Sequence, residues 1–264
     1  MIDNPSLGDS EVSYSVDSGV ARITIDRPWR RNAMSFAVMQ GLREALALAK
    51  GDAAVRVVVL TGAGDRAFCA GADLDAIAGT GDAAHEKRGV LVGLFQDLWA
   101  LGKPTIARVR GYALAGGMGL ALSCDFVIAA DDAQFGTPEV NVGLWPYIVT
   151  VPMLRSMPPR KVLELQMTGR RVGAVEALSI GFVNEVVTVA NLDERVDELA
   201  AELASKSPLV LKLGRDAFYR ALEMDADPAL KYLHGRLNEH TQIEDVAEGI
   251  AAFAEKRPPK WTGR

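Results

Sequence analysis

The chain has 264 residues, of which 49% are hydrophobic and 24% are charged, and its formal net charge is -5. This length and composition allow a sizeable core and are typical of a globular protein. The negative charge gives no general attraction to nucleic-acid phosphates or anionic lipids, so we expect neither nucleic acid nor a membrane as a partner. Two cysteines, Cys69 and Cys124, cannot form a disulfide framework. Together with a polar N-terminal segment that has no apolar signal region, they predict a cytoplasmic protein.

The first predicted elements are a β-hairpin, a helix and a buried strand. The stretch VSYSVDSGVARITID has two β-like runs around the turn signal Asp17-Ser18-Gly19. After the interruption RPWRRNAMS, apolar residues from Ser35 to about Lys50 recur at helical spacing behind a serine cap. The run VRVVVLTGAG then predicts a strand that ends in glycine.

The alternation of strand and helix continues along the chain. The loop GDRAFCAGADL precedes a long helical stretch to about Leu101, and the strand KPTIARVRG, a glycine-containing helix and the strand DFVIAAD follow. This alternation predicts an α/β core over residues 1–190. After about Asn191 the patterns are helical, so residues 191–264 are expected to form a helical C-terminal region.

Two glycine-containing loops, AFCAGADL and GYALAGGMG, each follow an apolar strand and lead into a helix. Backbone N–H groups at the start of a helix have no partner within the helix and can bind an oxygen anion. Two such loops facing each other would form an oxyanion hole. Alternatively, the glycines only allow the helix to pack closely on the sheet. Neither loop has the Gly-Lys-Ser/Thr of a Walker A motif, which argues against a phosphate cradle.

The segments ITIDRPWRRNAMS, RAFCAGADL, VRGYALAGGMGLALSCDFVIA and AQFGTPEVNVGLWP resemble, in this order, those of the crotonase superfamily, which includes enoyl-CoA hydratases and isomerases. The resemblance extends to MTGRRVGAVEALSIGFVNEVV and the terminal EGIAAFAEKRPPKW, and so covers nearly the whole chain. It implies an α/β crotonase (ClpP-like) spiral of β-β-α units with a helical C-terminal trimerisation region. It further implies a homotrimer or a dimer of trimers that binds an acyl-CoA thioester substrate and uses neither a metal nor a redox cofactor.

By motif position, the resemblance assigns the two oxyanion donors to the backbone N–H groups of Ala72 and Gly116. These donors would stabilise the charge that develops on the thioester oxygen of an enolate. Hydratases of the superfamily use two glutamates, but the first of these positions is Gly119 here and the second is Glu139. One carboxylate can still move a proton between the α and γ carbons, as the single-glutamate Δ3-Δ2-enoyl-CoA isomerases do. The sequence therefore favours isomerisation over hydration, and Gly119→Glu should raise hydration unless the larger side chain clashes with its neighbours.

Other interpretations stay open. On sequence alone, Glu139 could be a capping or surface carboxylate. Tyr147 allows a decarboxylase, because the methylmalonyl-CoA decarboxylases of the superfamily resemble this chain in carrying a tyrosine in a similar segment. Those enzymes do not depend on a glutamate at the position of Glu139, so we rank decarboxylation lower and prefer to interpret Tyr147 as a packing aromatic. A non-catalytic acyl-CoA-binding protein that has lost the first carboxylate is a third alternative. The histidines have no partner motif, so we expect no metal site.

The resemblance also leads us to expect a set of substrate-binding residues. They are Arg30, Ala33, Ala70, Asp73, Leu74, Gly117, Pro138, Tyr147 and Lys256. Basic side chains in this set would contact the CoA phosphates as mobile charges. Each of them could equally be a solvated surface charge.

Overall fold

The computed structural model describes residues 11–73 and 81–264, and its chain begins with the predicted hairpin. Strands β1 (Val12–Asp17) and β2 (Val20–Ile25) pair antiparallel, with Asp17 opposite Val20. The turn between them has positive φ angles at Ser18 (50°) and Gly19 (82°). A two-residue turn of this handedness matches the natural twist of a hairpin, so the predicted turn is confirmed.

A six-stranded sheet forms the centre of the molecule, and its strands are parallel apart from β1. Its order is β1, β2, β3 (Val57–Gly62), β5 (Thr105–Val109), β7 (Phe126–Ala130) and β10 (Glu185–Val187). Every residue of β3 is buried. A strand that is buried on both faces reads as a continuous apolar run, which explains the VRVVVL pattern.

A second, smaller sheet has four strands. Its order is β4 (Ala67–Cys69), β6 (Tyr112–Leu114), β8 (Gln134–Gly136) and β9 (Arg171–Gly173). Strands β4, β6 and β8 each follow a strand of the large sheet along the chain, and a helix follows β4 and β6. This repeat of long strand, short strand and helix confirms the expected spiral of β-β-α units. It also brings the loops after β4, β6 and β8 to the same edge of the small sheet.

The helices flank the two sheets. They are α1 (Phe36–Gly51), α2 (Asp82–Trp99), α3 (Gly116–Leu122), α4 (Thr150–Ser156), α5 (Pro159–Thr168), α6 (Ala174–Ile180), α7 (Leu192–Ala204), α8 (Pro208–Ala221), α9 (Ala226–His240) and α10 (Glu244–Glu255). The predicted cap of α1 is confirmed, because the Ser35 hydroxyl accepts a hydrogen bond from the Val38 N–H. In the described part of the chain, no helix is both long and apolar enough to cross a membrane.

The core has two apolar clusters, one on each face of the large sheet. The larger lies between the two sheets and helices α1 and α2, and it includes both cysteines, which are free and buried. The smaller lies between the opposite face and α7, where Leu192 and Val196 pack with Val57 and Val59. The first helix after the predicted boundary at residue 190 therefore packs on the sheet, while the boundary itself stays a prediction.

Candidate active site

The first predicted donor, Ala72, lies in a short loop that is clamped by the segment before α1. The Met34 N–H donates to the Gly71 carbonyl, and the Asp73 N–H donates to the Met34 carbonyl, each at 2.8 Å. This parallel bridge uses the groups on either side of Ala72, so the N–H of Ala72 itself points away from Met34. Among the described residues, that N–H has no hydrogen-bond partner and is available to a ligand.

The second predicted donor, Gly116, is the first residue of α3, so its N–H has no partner within the helix. The chain enters this helix through an unusual turn. Ala115 has φ 51° and ψ −126°, a conformation that residues other than glycine rarely adopt. Its N–H donates to the Gly136 carbonyl at 2.8 Å, which fixes the turn to the end of β8. Strained backbone of this kind is typical of functional sites.

The two donor loops lie against each other. A Cβ placed on Gly116 would lie 3.6 Å from the Ala72 nitrogen, and a Cβ placed on Gly71 would lie 3.6 Å from the Gly116 nitrogen. Gly71 also has φ +109°, and its Cβ would come within 2.8 Å of the Ala115 Cβ. Position 71 therefore requires glycine, and the backbone nitrogens of Ala72 and Gly116 lie in adjacent loops. Their role as an oxyanion hole stays a prediction.

Glu139 lies in a 3-10 turn, Pro138–Val142, which is separated from the end of β8 by Thr137 alone. Because Gly136 at the end of β8 is bonded to Ala115, this turn begins beside the second donor loop. The Glu139 Oε2 atom is buried and has no hydrogen-bond partner in the described structure. Burial raises the pKa of this carboxyl above its ordinary value, and a backbone hydrogen bond lowers it by less. A partly buried carboxyl with one unpaired oxygen and a raised pKa is suited to accept and return a proton.

The position of the missing first glutamate is filled. A Cβ on Gly119 would lie 2.7 Å from Cζ of Phe95 and 3.3 Å from Cγ1 of Val149. The clash considered for Gly119→Glu is therefore present. Gly117 also has a packing reason, because its Cβ would lie 2.1 Å from the Cys69 carbonyl oxygen. Close packing accounts for glycine at both positions, while a role of Gly117 in substrate binding stays a prediction.

Some of the expected substrate-binding residues come together. The Ala70 N–H donates to the Arg31 carbonyl at 3.1 Å, which joins the first donor loop to the turn that contains Arg30 and Ala33. Arg30 is exposed in this turn. The Asp73 carboxylate forms an ion pair with Arg27, which is not among the expected residues. Leu74 lies outside the described residues.

The remaining expected residues lie at the surface or are partly buried. Lys256 is exposed at the end of α10, and none of its described contacts reaches the donor loops. Pro138 is partly buried beside Glu139. Tyr147 is 77% exposed, so it is not a packing aromatic of the chain's own core. Its contribution to substrate binding stays a prediction.

Two residues that the sequence did not single out hold the first donor loop in place. The Arg27 Nη1 donates to the Ala33 carbonyl at 2.8 Å and lies 3.1 Å from an Asp73 carboxylate oxygen. Asn32 is fully buried at φ 56°, and its Nδ2 donates to the carbonyls of Ala63 and Ala67. The sequence does contain a signal for Asn32, because it is an Asn between an apolar strand and a capped helix. Asn tolerates the left-handed backbone conformation better than most residues, so it is favoured in such a turn.

A cavity of about 690 Å³ lies elsewhere, between the ends of α2 and α3 and helix α8. Its polar lining includes Asp125, which accepts hydrogen bonds from Arg215 and Tyr219. These groups satisfy one another's hydrogen-bonding capacity. None of the described residues that the sequence predicted for catalysis or substrate binding lines this cavity. Among the described residues, no group of three or more His, Cys, Asp or Glu could hold a metal ion. The expected absence of a metal stays a prediction.

Comparison with known proteins identifies the family. A family model described as enoyl-CoA hydratase/isomerase matches residues 15–264. The chain belongs to the enoyl-CoA hydratase/isomerase family. Among its curated relatives is the carnitinyl-CoA dehydratase of Escherichia coli (strain K12), which is 38% identical over 256 residues, or 94% of this chain and 97% of the relative. The enzyme of the same name from Salmonella typhi is 38% identical over 253 residues, or 93% of this chain and 95% of the relative.

Solved structures of the hydratase/isomerase family share the fold. An enoyl-CoA hydratase from Bacillus anthracis has a TM-score of 0.91 and 33% identity, covering 96% of this chain and 100% of its own. The human enoyl coenzyme A hydratase domain-containing protein 3 also has a TM-score of 0.91, with 31% identity, covering 95% of this chain and 99% of its own. The crotonase-type fold that the sequence predicted is therefore confirmed.

Proposed function

We propose that this acyl-CoA enzyme of the hydratase/isomerase family moves a double bond, converting a 3-enoyl-CoA to the 2-enoyl-CoA. The Glu139 carboxylate would take a proton from the α carbon and leave a dienolate. The N–H groups of Ala72 and Gly116 would stabilise the negative charge on the thioester oxygen. Glu139, now a carboxylic acid, would return the proton to the γ carbon, so that no atom is gained or lost.

The observation that carries this proposal is the contrast between Glu139 and Gly119. Glu139 has a buried carboxylate oxygen without a described partner. At Gly119 the space for a second carboxylate is taken by Phe95 and Val149. A proton shuttle requires one such group, whereas addition of water needs a group to deprotonate the water and a group to protonate the α carbon.

A second candidate is the dehydration of a 3-hydroxyacyl-CoA. The observation in its favour is 38% identity over 94% of the chain to an enzyme named carnitinyl-CoA dehydratase. Such a reaction also passes through charge on the thioester oxygen, so the same two donors would serve it. Decarboxylation of a malonyl-type thioester with the help of Tyr147, and binding of acyl-CoA without turnover, are the remaining alternatives.

A panel of thioesters separates these activities. Purified protein is incubated with a 3-enoyl-CoA, crotonyl-CoA, 3-hydroxybutyryl-CoA, carnitinyl-CoA and methylmalonyl-CoA. Chromatography, mass spectrometry and the ultraviolet absorption of the conjugated 2-enoyl thioester follow the products. The proposal expects isomerisation to be the fastest reaction. Faster dehydration of either hydroxy substrate would replace it with the second candidate, and binding without any product would support the non-catalytic alternative.

We also propose that several copies of the chain assemble, as the resemblance to trimers and paired trimers implies. Helix α9 has no buried residue, and Leu230, Leu233 and Leu237 form an apolar row along it that is 38–67% exposed. These leucines are spaced by three and four residues and share one helix face. A second copy of the chain would remove this face from water.

A further inference from the structure

Two side chains of helix α2 lie over the first turn of helix α3. Leu91 Cδ2 lies 3.6 Å from the position that a Cβ would take on Gly116, and Phe95 Cζ lies 2.7 Å from the corresponding position on Gly119. Leu91 and Phe95 are four residues apart and so share one face of α2. This face covers both the second oxyanion donor and the place of the missing carboxylate.

Phe95 is held firmly in this position. Its side chain is only 2% exposed, and its ring lies 6.5 Å from the Trp99 ring, between centroids. The Arg155 guanidinium lies over the Trp99 ring, 4.4 Å from its centroid, and this contact helps to hold the tryptophan in place. Val149 Cγ1 is also close, at 3.3 Å from the position of a Cβ on Gly119. Because this packing is close, a side chain at position 119 can enter only if the Phe95 ring is displaced.

The wall beside Gly119 is apolar as well as full. Phe95 and Val149 offer no hydrogen-bond donor or acceptor, so a carboxylate placed between them would lose hydration without replacement. A water molecule would also lack the polar partners that hold buried water. Phe95 therefore takes the room for a second carboxylate and makes the surroundings of position 119 apolar.

We propose that Phe95 is a specificity-determining residue that, coupled to Gly119, keeps water addition out of this site and leaves proton transfer through Glu139. This inference rests on the proposed function. Its consequence is that neither position alone controls hydration: a carboxylate at 119 becomes useful only when the Phe95 ring is removed.

The test compares wild type with Phe95→Ala, Gly119→Glu and the double variant. Leu94→Ala combined with Gly119→Glu is the matched control, because Leu94 is fully buried on the same helix and is not among the atoms nearest to Gly119. Hydration of crotonyl-CoA, isomerisation of a 3-enoyl-CoA and Tm are measured for each. We expect hydration to rise at least tenfold only in the Phe95→Ala, Gly119→Glu double variant.

Equal hydration in Gly119→Glu alone, or in the Leu94 control, would overturn the inference. So would a folded double variant that binds acyl-CoA and gains no hydration. Glu139→Gln, assayed for isomerisation in the wild-type background, tests the proposed function separately. If Glu139→Gln keeps full isomerase activity while the double variant still gains hydration, the proposed isomerase mechanism is refuted. The coupling of Phe95 and Gly119 would still stand.

If the double variant does not fold, a stability measurement replaces the hydration assay. Gly119→Ala adds only the methyl group that would meet Phe95, so we expect it to lower Tm by a few degrees in wild type. In the Phe95→Ala background the same substitution should have a smaller effect or raise Tm. The same loss in both backgrounds would show that the two residues are independent, and would overturn the inference.

Discussion

The Nδ2 of Asn32 donates a 2.6 Å hydrogen bond to the carbonyl of Ala67, the residue at which the strand before the first donor loop begins. A second bond from the same nitrogen reaches the Ala63 carbonyl, and the Asn32 Oδ1 accepts from the Arg27 N–H. One side chain thus joins the strand β4, the end of β3 and the turn that clamps Ala72.

Asn32→Ala should lower the free energy of unfolding by about 2–4 kcal/mol, because buried carbonyls lose their donor. Urea unfolding at neutral pH measures the change. Asn191→Ala is the control, because Asn191 is exposed and its side chain makes no cap hydrogen bond, so that substitution should stay within about 0.5 kcal/mol. Equal effects of the two substitutions would mean that Asn32 does not hold the loop.

Glu139→Gln should lower kcat for 3-enoyl-CoA isomerisation by about 10²- to 10⁴-fold with little change in KM. The amide keeps the shape of the side chain but cannot accept a proton at neutral pH. Steady-state kinetics and acyl-CoA binding by calorimetry measure the two effects. Glu194→Gln, an exposed change on α7, should leave both unchanged. Full activity of Glu139→Gln would make this carboxyl structural.

The same substitution should raise stability at neutral pH. Burial raises the pKa of Glu139 in the folded chain, so between its unfolded and folded pKa the folded state binds more protons. Stability is therefore lost as pH rises through this window, and glutamine removes the loss. Tm of Glu139→Gln should exceed that of wild type at pH 7. The difference should shrink at low pH, where the Glu139 carboxyl is protonated in both the folded and the unfolded wild type. A difference that does not change with pH would contradict this account.

Hydration of crotonyl-CoA by the wild type should be slow, about 10²-fold or more below that of a hydratase with two glutamates assayed alongside. The physical reason is that position 119 supplies no carboxylate. Loss of the absorption of the conjugated thioester measures the rate. A rate equal to that of the reference hydratase would show that water is activated by a group outside this account.

Assembly should depend on the apolar face of helix α9. The double substitution Leu230→Glu, Leu237→Glu places two charges on this face and should reduce the mass measured by light scattering towards that of one chain. Leu48→Glu on α1 is the control, since Leu48 is exposed to 40% and is not part of that row. An unchanged mass in the double variant would place the contact between copies on another surface.

The sequence predicted the elements that depend on local pattern and on motif order. The hairpin around Asp17 and the cap at Ser35 follow from turn and helix chemistry, and both are present. The positions of Ala72 and Gly116 followed from the resemblance, and the structure brings these residues to adjacent loops. What the sequence shows least well is contact between distant segments.

The contact between Phe95 and Gly119 is an example, because it depends on how helix α2 rests on helix α3 rather than on either sequence segment. Arg27 and Asn32 were missed for a related reason. Their partners lie up to 46 residues away, and the bonds exist only once the loops are packed together. The exposure of Tyr147 likewise depends on which surfaces the folded chain leaves uncovered.

The φ angle of 51° at Ala115 has a consequence for how the second donor arises. A free peptide of the sequence around Ala115 would seldom visit this conformation, because an alanine side chain disfavours it. The hydrogen bond to the Gly136 carbonyl holds Ala115 in this conformation, and the absence of a side chain at Gly71 leaves room for the Ala115 Cβ. The orientation of the Gly116 N–H therefore depends on the packing of the segments around Gly71, Ala115 and Gly136. Grafting GYALAGGMG alone into another scaffold would not reproduce this backbone conformation.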